Sequence, residues 1–117
     1  MESRLIYKAN EHLKSKVKWI KVTESEWIYR GSNGDVRLEI VSEHIKRHFV
    51  DSNFYVALNR NESFVSNSQT ILTDIKKLVG MKDFLLWDFS FEKVIEFNHI
   101  GVFREGGSNH RFVPTPI

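Results

Sequence analysis

The stretch from Phe84 to Gly107, FLLWDFSFEKVIEFNHIGVFREGG, decides the fold of this chain. It holds five of the nine Phe residues and one of the three Trp residues. Within it, Asn98-His99-Ile100-Gly101 is typical of a type I turn, because Asn is favoured at the first position and Gly can take the positive φ that closes a bulged hairpin. The stretch therefore predicts a hairpin with its tip at His99.

The register of this hairpin follows from its turn. It places Phe97 opposite Phe103 and Glu96 opposite Arg104, so that an apolar face and a charged face alternate along the two strands. A slip of one residue would turn the Phe side chains toward water, and we therefore predict a firm register.

The segment Phe84–Phe89 is apolar on both faces of a strand and is interrupted only by Asp88. Such a strand is usually central in its sheet and covered on both sides. In an alternative interpretation Phe91–Phe97 is a helix capped by Ser90, because short apolar runs are ambiguous between helix and strand.

Periodicity predicts the elements of the rest of the chain. Apolar residues that recur three and four positions apart predict helices, whereas shorter alternating runs predict strands. Ser42 and either Asn67 or Ser68 are suitable N-caps for the later helices. The predicted helices are 2–16, 42–49 and 68–79, and the predicted strands are 17–22, 54–58 and 63–66.

A second hairpin is predicted at Ser32-Asn33-Gly34-Asp35. Asn-Gly between alternating runs is a strong hairpin signal, because both central positions of its turn need a positive φ. The turn would join strands 26–30 and 36–41. Together these elements predict an α+β fold: a mostly antiparallel sheet of about five to seven strands with two or three helices packed on it.

Composition limits the class of protein. At 117 residues the chain is predicted to be one domain, 1–117, with a flexible tail at 106–117 that contains both Pro residues. The absence of cysteine excludes disulfides and thiolate metal sites. The apolar runs are too short to cross a bilayer and the first residues begin no signal-peptide pattern, so we expect a cytoplasmic protein without a membrane contact.

Charge is distributed unevenly. The net charge of +2 is too small to imply nucleic acid, but residues 1–21 carry six basic and two acidic residues. This balance of +4 predicts a basic N-terminal helix, which leads to an alternative function as a nucleic-acid-binding domain. Alternation assigns the aromatic residues Trp19, Trp27 and Tyr29 to the core, away from the arginines, and nucleic acid is therefore the less favoured partner.

Few residues indicate catalysis. His44 and His48 are four apart and could face one metal ion, but no spacing supplies a third ligand, so we predict no metal and no cofactor. His99 at the hairpin tip could act as a general acid or base. Since no nucleophile elbow, phosphate loop or dinucleotide fingerprint accompanies it, a small enzyme with a site near His99 is an alternative and no catalytic residue is predicted.

Acidic residues are densest in the central stretch, where they lie among aromatic residues. A carboxylate surface with aromatic anchors suits the capture of a basic protein, because charge steers the encounter and aromatic side chains hold the partner. The predicted partner-binding residues are Asp83, Trp87, Asp88, Glu92, Glu96, His99 and Arg104.

The segments Phe84-Leu85-Leu86-Trp87-Asp88 and Phe97-Asn98-His99-Ile100-Gly101-Val102 resemble the small α+β immunity proteins of bacterial toxin systems, including those of contact-dependent growth inhibition. The resemblance is confined to the central stretch and assigns no role to an individual residue. It implies a non-catalytic cytoplasmic protein that binds a cognate toxin, such as a nuclease, and blocks its active site.

Overall fold

The computed structural model of the chain describes residues 2–21, 25–29, 37–50 and 52–108. Within these ranges it contains three α-helices, a 3₁₀ turn at Lys14–Lys16 and seven strands. None of the described helices is long and apolar enough to cross a membrane. The α-helices, α1 to α3, are Ser3–Leu13, Leu38–His48 and Ile71–Leu78. The strands, β1 to β7, are Val17–Trp19, Ile28–Tyr29, Asn53–Ala57, Phe64–Asn67, Phe84–Asp88, Lys93–Asn98 and Val102–Ser108.

The strands form one antiparallel sheet in the order β1-β7-β6-β5-β3-β4, and β2 also pairs with β7. Because β6 occupies one edge of β7, β1 and β2 share the other edge. β1 lies beside Gly106–Ser108, and β2 lies beside Val102 and Phe103. This architecture confirms the predicted α+β fold, with an antiparallel sheet and three helices.

The predicted central hairpin is confirmed in its turn and its register. Phe97 pairs with Phe103 and Glu96 pairs with Arg104. Gly101 has a φ of 112°, and its N–H donates to the carbonyl of Asn98 at 3.2 Å. The alternative helix at 91–97 is wrong, because Lys93–Asn98 forms strand β6 and its side chains alternate between the two faces of the sheet.

Strand β5 lies inside the sheet between β6 and β3, as its apolar sequence predicts. Phe84 and Leu86 pack with α2 and α3 on one face, and Trp87 packs with α1 on the other. The strand ends at Asp88, so Phe89, predicted as its last residue, lies in the following turn.

The α1 core contains a buried polar contact. The indole Nε1–H of Trp87 donates to the Oδ1 of Asn10 at 2.9 Å. Both residues are buried, and a buried indole N–H that lacked an acceptor would cost free energy. This hydrogen bond therefore joins α1 to β5.

The predicted hairpin at 32–35 is wrong in its second strand. Its turn lies outside the described residues. Ile28–Tyr29 of its first strand pairs with β7 instead, and helix α2 begins at Leu38, so that Ser42 is an interior helical residue rather than the N-cap. The alternation at 36–41 concealed a helical stripe: Val41 and Ile45 are buried at a spacing of four.

The other helices are shorter than predicted. α1 ends at Leu13, and the 3₁₀ turn follows it. α3 begins at Ile71, because the side chain of Asn67 closes a turn of its own: its Oδ1 accepts the N–H groups of Gln69 and Thr70 at 2.9 and 3.1 Å. Such side-chain-to-backbone bonds compete with helix formation.

Gly106–Ser108 continue β7 and pair with β1, so the prediction of a flexible tail from Gly106 is wrong for these three residues. Residues 109–117 lie outside the described part of the chain. Gly106 belongs to the strand because β1 packs closely on it: an added Cβ would lie 2.7 Å from the carbonyl oxygen of Lys18 and 2.8 Å from Cε3 of Trp19. Only glycine lets β1 approach this closely.

We expect Gly106→Ala to lower the free energy of unfolding by about 1–3 kcal/mol, because overpacking would displace β1 and Trp19. In the control Gly107→Ala the new Cβ meets only the carbonyl of Glu92, at 3.2 Å. Its expected loss is below about 1 kcal/mol, since alanine also restricts the unfolded chain. Urea denaturation measures both, and equal stability of the two variants would contradict this packing.

Candidate partner-binding surface

Helix α1 covers only part of its face of the sheet. It packs over β3 and β5 through Ile6, which contacts Tyr55 and Trp87. Further along the same face, beyond the buried Val94, the side chains of β6, β7 and the adjoining edge are half-buried or exposed. We call this region the open half-face, and it comprises Trp19, Glu26, Trp27, Tyr29, Glu96 and Arg104.

Arg104 is at the centre of the open half-face. Its guanidinium carbon lies 4.0 Å from the ring centroid of Trp19 and 4.5 Å from that of Trp27. A cation over the face of an indole is attracted by the negative potential of the ring, and Trp is the strongest of the aromatic partners. The guanidinium therefore holds Trp19 from β1 and Trp27 from the segment before β2 at defined positions.

Two carboxylates complete this cluster. The Nη1 of Arg104 lies 2.7 Å from the Oε1 of Glu26, and its Nε lies 2.7 Å from the Oε1 of Glu96. These side chains are between 22 and 35% exposed, so the ion pairs are screened less than fully solvated ones. With one cation and two anions, the cluster has a net charge of −1.

The segment that carries Trp27 continues into β2, which pairs with β7, and local contacts order both segments that carry the indoles. The N–H of Trp27 donates to the Oγ of Ser25 at 3.1 Å. The N–H of Ile20 donates to the carbonyl of Glu105 at 2.8 Å, and Trp19 lies over Gly106. The aromatic groups are thus positioned before any partner arrives, which reduces the entropy lost on binding.

Replacement of Arg104 tests its central role. We expect Arg104→Met to lower the free energy of unfolding by about 1–3 kcal/mol, because two half-buried carboxylates are left without their cation. Arg104→Lys keeps the charge but not the planar group that stacks on both indoles, and an intermediate loss is expected.

Urea denaturation followed by Trp fluorescence measures these losses. Lys76→Met, at an exposed position of α3, is the matched removal of a positive charge and should change stability by no more than about 0.5 kcal/mol. If Arg104→Met unfolded at the same urea concentration as the wild type, the cluster would have no structural role.

A second polar contact closes the tip of the central hairpin. The Oδ1 of Asp83 accepts hydrogen bonds from the backbone N–H and the Nδ1 of His99, both at 2.8 Å. Both side chains are more than half exposed. In the described part of the chain no serine or threonine hydroxyl bonds to His99. The contact between Asp83 and His99 connects the hairpin turn to the start of β5.

This contact changes the pKa of Asp83. Partial burial raises the pKa of this carboxyl, but the backbone N–H, the imidazole and the charge of His99 lower it by more, so that its pKa lies below the ordinary value. A lowered folded-state pKa stabilises the fold above the unfolded pKa of about 3.9, and this contribution is lost as the pH falls through the folded pKa.

We therefore expect His99→Ala to raise the pKa of Asp83 toward its ordinary value, because the imidazole bond and charge are lost while the backbone N–H remains. Carbon-detected NMR titration of the side-chain carboxyls measures this shift. His12→Ala, which removes an imidazole from α1, should leave the pKa of Asp83 unchanged. An unchanged pKa in His99→Ala would show that the imidazole contributes nothing.

The structure separates the seven residues predicted to bind a partner. Glu96 and Arg104 lie together on the open half-face. The other five occupy three further places. Asp83 and His99 pair at the hairpin tip, Glu92 is exposed at the opposite end of β6, and Trp87 and Asp88 are buried.

Asp88 organises the connection between β5 and β6. Its Oδ1 accepts the N–H groups of Glu92 and Lys93 at 2.9 and 3.1 Å, and its Oδ2 accepts the hydroxyl of Ser90 at 3.1 Å. In this structure a docked partner would reach neither this carboxylate nor the indole of Trp87.

Sequence reasoning missed Trp19, Glu26, Trp27 and Tyr29 as surface residues. Alternation assigned the three aromatic residues to the core, whereas Tyr29 is 54% exposed and both indoles are only partly buried. They do share one face of a strand pattern, as alternation requires. Tertiary packing decides which half of that face α1 covers, and the sequence pattern of a single strand cannot predict it.

The two histidines considered for a metal site contact β7. The Nδ1 of His44 lies 2.5 Å from a carboxylate oxygen of Glu105, and the Nε2–H of His48 donates to the carbonyl of Gly106 at 2.9 Å. Among the residues that the structure describes, no group of three or more side chains could hold a metal ion. These histidines attach α2 to the sheet.

Comparison of the chain with protein-family models, with curated proteins and with solved structures finds no match.

Proposed function

We propose that this protein is a non-catalytic immunity protein that binds a cognate bacterial toxin and blocks its active site with the open half-face. The observation that carries the proposal is the Arg104 cluster, in which a guanidinium orders two partly exposed indoles. Trp, Tyr and Arg are the residue types that dominate binding energy at protein interfaces. Here Trp19, Trp27, Tyr29 and Arg104 lie on one sheet face.

The proposed partner is a nuclease toxin, for electrostatic reasons. A nuclease binds phosphates, so its substrate groove is positively charged. Within the Arg104 cluster the carboxylates of Glu26 and Glu96 outnumber the cation of Arg104, and the carboxylate of Asp83, whose pKa is lowered, adds a negative charge at the hairpin tip. Arg37, whose guanidinium carbon lies 5.9 Å from the ring centroid of Tyr29, confines this negative charge to the cluster and the tip. Complementary charge of this kind accelerates encounter and excludes other partners.

The place of action in this proposal is the cytoplasm, where a toxin that enters the cell would meet nucleic acid. Blocking by contact requires no reactive group in the immunity protein. It requires rigid anchors and a complementary field, and the open half-face offers both.

The test uses the full chain and the product of the gene immediately upstream, which the proposal requires to carry the toxin domain. We expect the wild-type protein to co-elute with that domain and to suppress its nuclease activity at equimolar amounts. Trp27→Ala and Tyr29→Ala should each raise the Kd at least about tenfold, because truncated aromatic hot spots cost 2 kcal/mol or more.

Val50→Ser is the matched control, since Val50 is 88% exposed and follows α2. It should bind the toxin domain as the wild type does. The proposal is overturned if the wild-type protein, in excess, leaves the nuclease fully active. If Trp27→Ala and Tyr29→Ala bound the toxin domain as tightly as the wild type does, the open half-face would be excluded as the binding surface.

A small enzyme with its site near His99 is the second candidate. The observation in its favour is the contact between Asp83 and the Nδ1 of His99, because a carboxylate that orients an imidazole is a common arrangement in general acid–base catalysis. Turnover of a small substrate by the isolated protein, lost in His99→Gln, would favour this function over the first.

A further inference from the structure

A groove of about 400 Å³ lies between the exposed side of α1 and the turn that joins β3 to β4. It is separate from the open half-face, because none of its lining residues belongs to that surface. The lining combines three cations, one carboxylate and two side chains with apolar surface: Arg4, Lys8, Arg60, Glu11, Leu5 and Tyr7.

The three cations converge without a counter-ion. Within the described residues, Arg4, Lys8 and Arg60 make no ion pair, and all three are exposed. The carboxylate of Glu11 is already engaged, since the Nζ of Lys14 lies 2.9 Å from it. Like charges one helical turn apart repel each other, so an anion between these cations would relieve the repulsion.

The two sides of the groove are held together by a serine at the start of α1. The Oγ of Ser3 donates to the carbonyl of Arg60 at 2.9 Å and accepts the N–H of Ser63 at 2.8 Å. Arg60 and the neighbouring Arg4 are therefore brought together by the backbone and not only by flexible side chains. The backbone positions of Arg4 and Arg60 are thus set before an anion binds, which reduces the entropy lost on binding.

The turn that carries Arg60 is itself well ordered. The Oδ1 of Asn59 accepts the N–H groups of Asn61 and Glu62 at 3.0 and 2.9 Å. The side chain of Glu62 in turn pairs with the Nζ of Lys82 at 2.8 Å. These contacts order the backbone of the turn that carries Arg60.

The apolar part of the lining indicates what the anion is attached to. Leu5 is 48% exposed although it is a large aliphatic residue, and Tyr7, on the other side of the cations along α1, presents a partly buried ring to the groove. A flat ring that stacks on Tyr7 would remove apolar surface from water. The volume lies in the range of pockets for small ligands.

From these observations we propose that the groove binds one nucleotide, with its phosphates between Arg4, Lys8 and Arg60 and its base against Tyr7. A single nucleotide fits better than a nucleic-acid strand, because the groove has the volume of a small-ligand pocket and its three cations match one diphosphate group. Arginine binds phosphate oxygens in pairs, and lysine binds them as a point charge.

The test is isothermal titration of the full chain with ADP, with UDP and with inorganic pyrophosphate, in magnesium-free buffer of low ionic strength. We expect both nucleotides to bind more tightly than pyrophosphate, because only they carry a base that contacts Tyr7. Replacing Arg4 and Arg60 by Gln together should weaken nucleotide binding at least about tenfold, as lost charge-assisted hydrogen bonds do.

The double variant Lys76→Gln, Lys77→Gln removes two charges from exposed positions of α3 and is the matched control, with binding expected as in the wild type. Circular dichroism checks that each variant is folded. Tyr7→Leu should lower the affinity for ADP toward that for pyrophosphate and leave pyrophosphate binding unchanged.

Three results would overturn the proposal. One is the absence of nucleotide binding, and another is equal affinity for ADP and pyrophosphate. The third is tighter binding of a ten-nucleotide single strand, with a steep salt dependence and no competition by ADP, which would assign the basic helix to nucleic acid. None of these results bears on toxin binding, since the open half-face shares no residue with the groove.

Discussion

The pairing of β6 with β7 is the constraint on which the rest of the structure depends. Because side chains alternate, the register that places Phe97 beside Phe103 under α2 and α3 necessarily places Glu96 beside Arg104 on the opposite face. The same pairing presents the free edge of β7 to β1 and β2, which bring the indoles that enclose Arg104. Core and candidate surface thus follow from one hairpin.

The parts of the fold that local chemistry determines could be predicted from the sequence. The turn at Asn98–Gly101 and the register beyond it need only turn preferences and a period of two. Prediction failed at α2, where the alternation of Leu38 and Ile40 and the nearby Asn33-Gly34 imitated a hairpin. It failed again at Gly106, where glycine reflects close packing by β1 rather than flexibility.

The candidate surface was predictable only in part, for a physical reason. Glu96 and Arg104 follow from the hairpin register, but the exposure of Trp19 and Trp27 depends on where α1 lies. α1 is held over the sheet by the packing of Ile6 and by the buried hydrogen bond between Asn10 and Trp87, contacts between residues far apart in the chain. Trp87 resembled a partner-binding residue in the sequence for the same reason that it is buried: it is a large aromatic side chain on a central strand.

The three tryptophans of the chain allow a direct test of the claim that partner binding uses the open half-face. Each indole N–H gives its own signal in a nitrogen–proton NMR spectrum. On addition of the toxin domain, the signals of Trp19 and Trp27 are predicted to shift, whereas that of Trp87, buried against Asn10, should change least. Binding that leaves the signals of Trp19 and Trp27 in place would contradict the account.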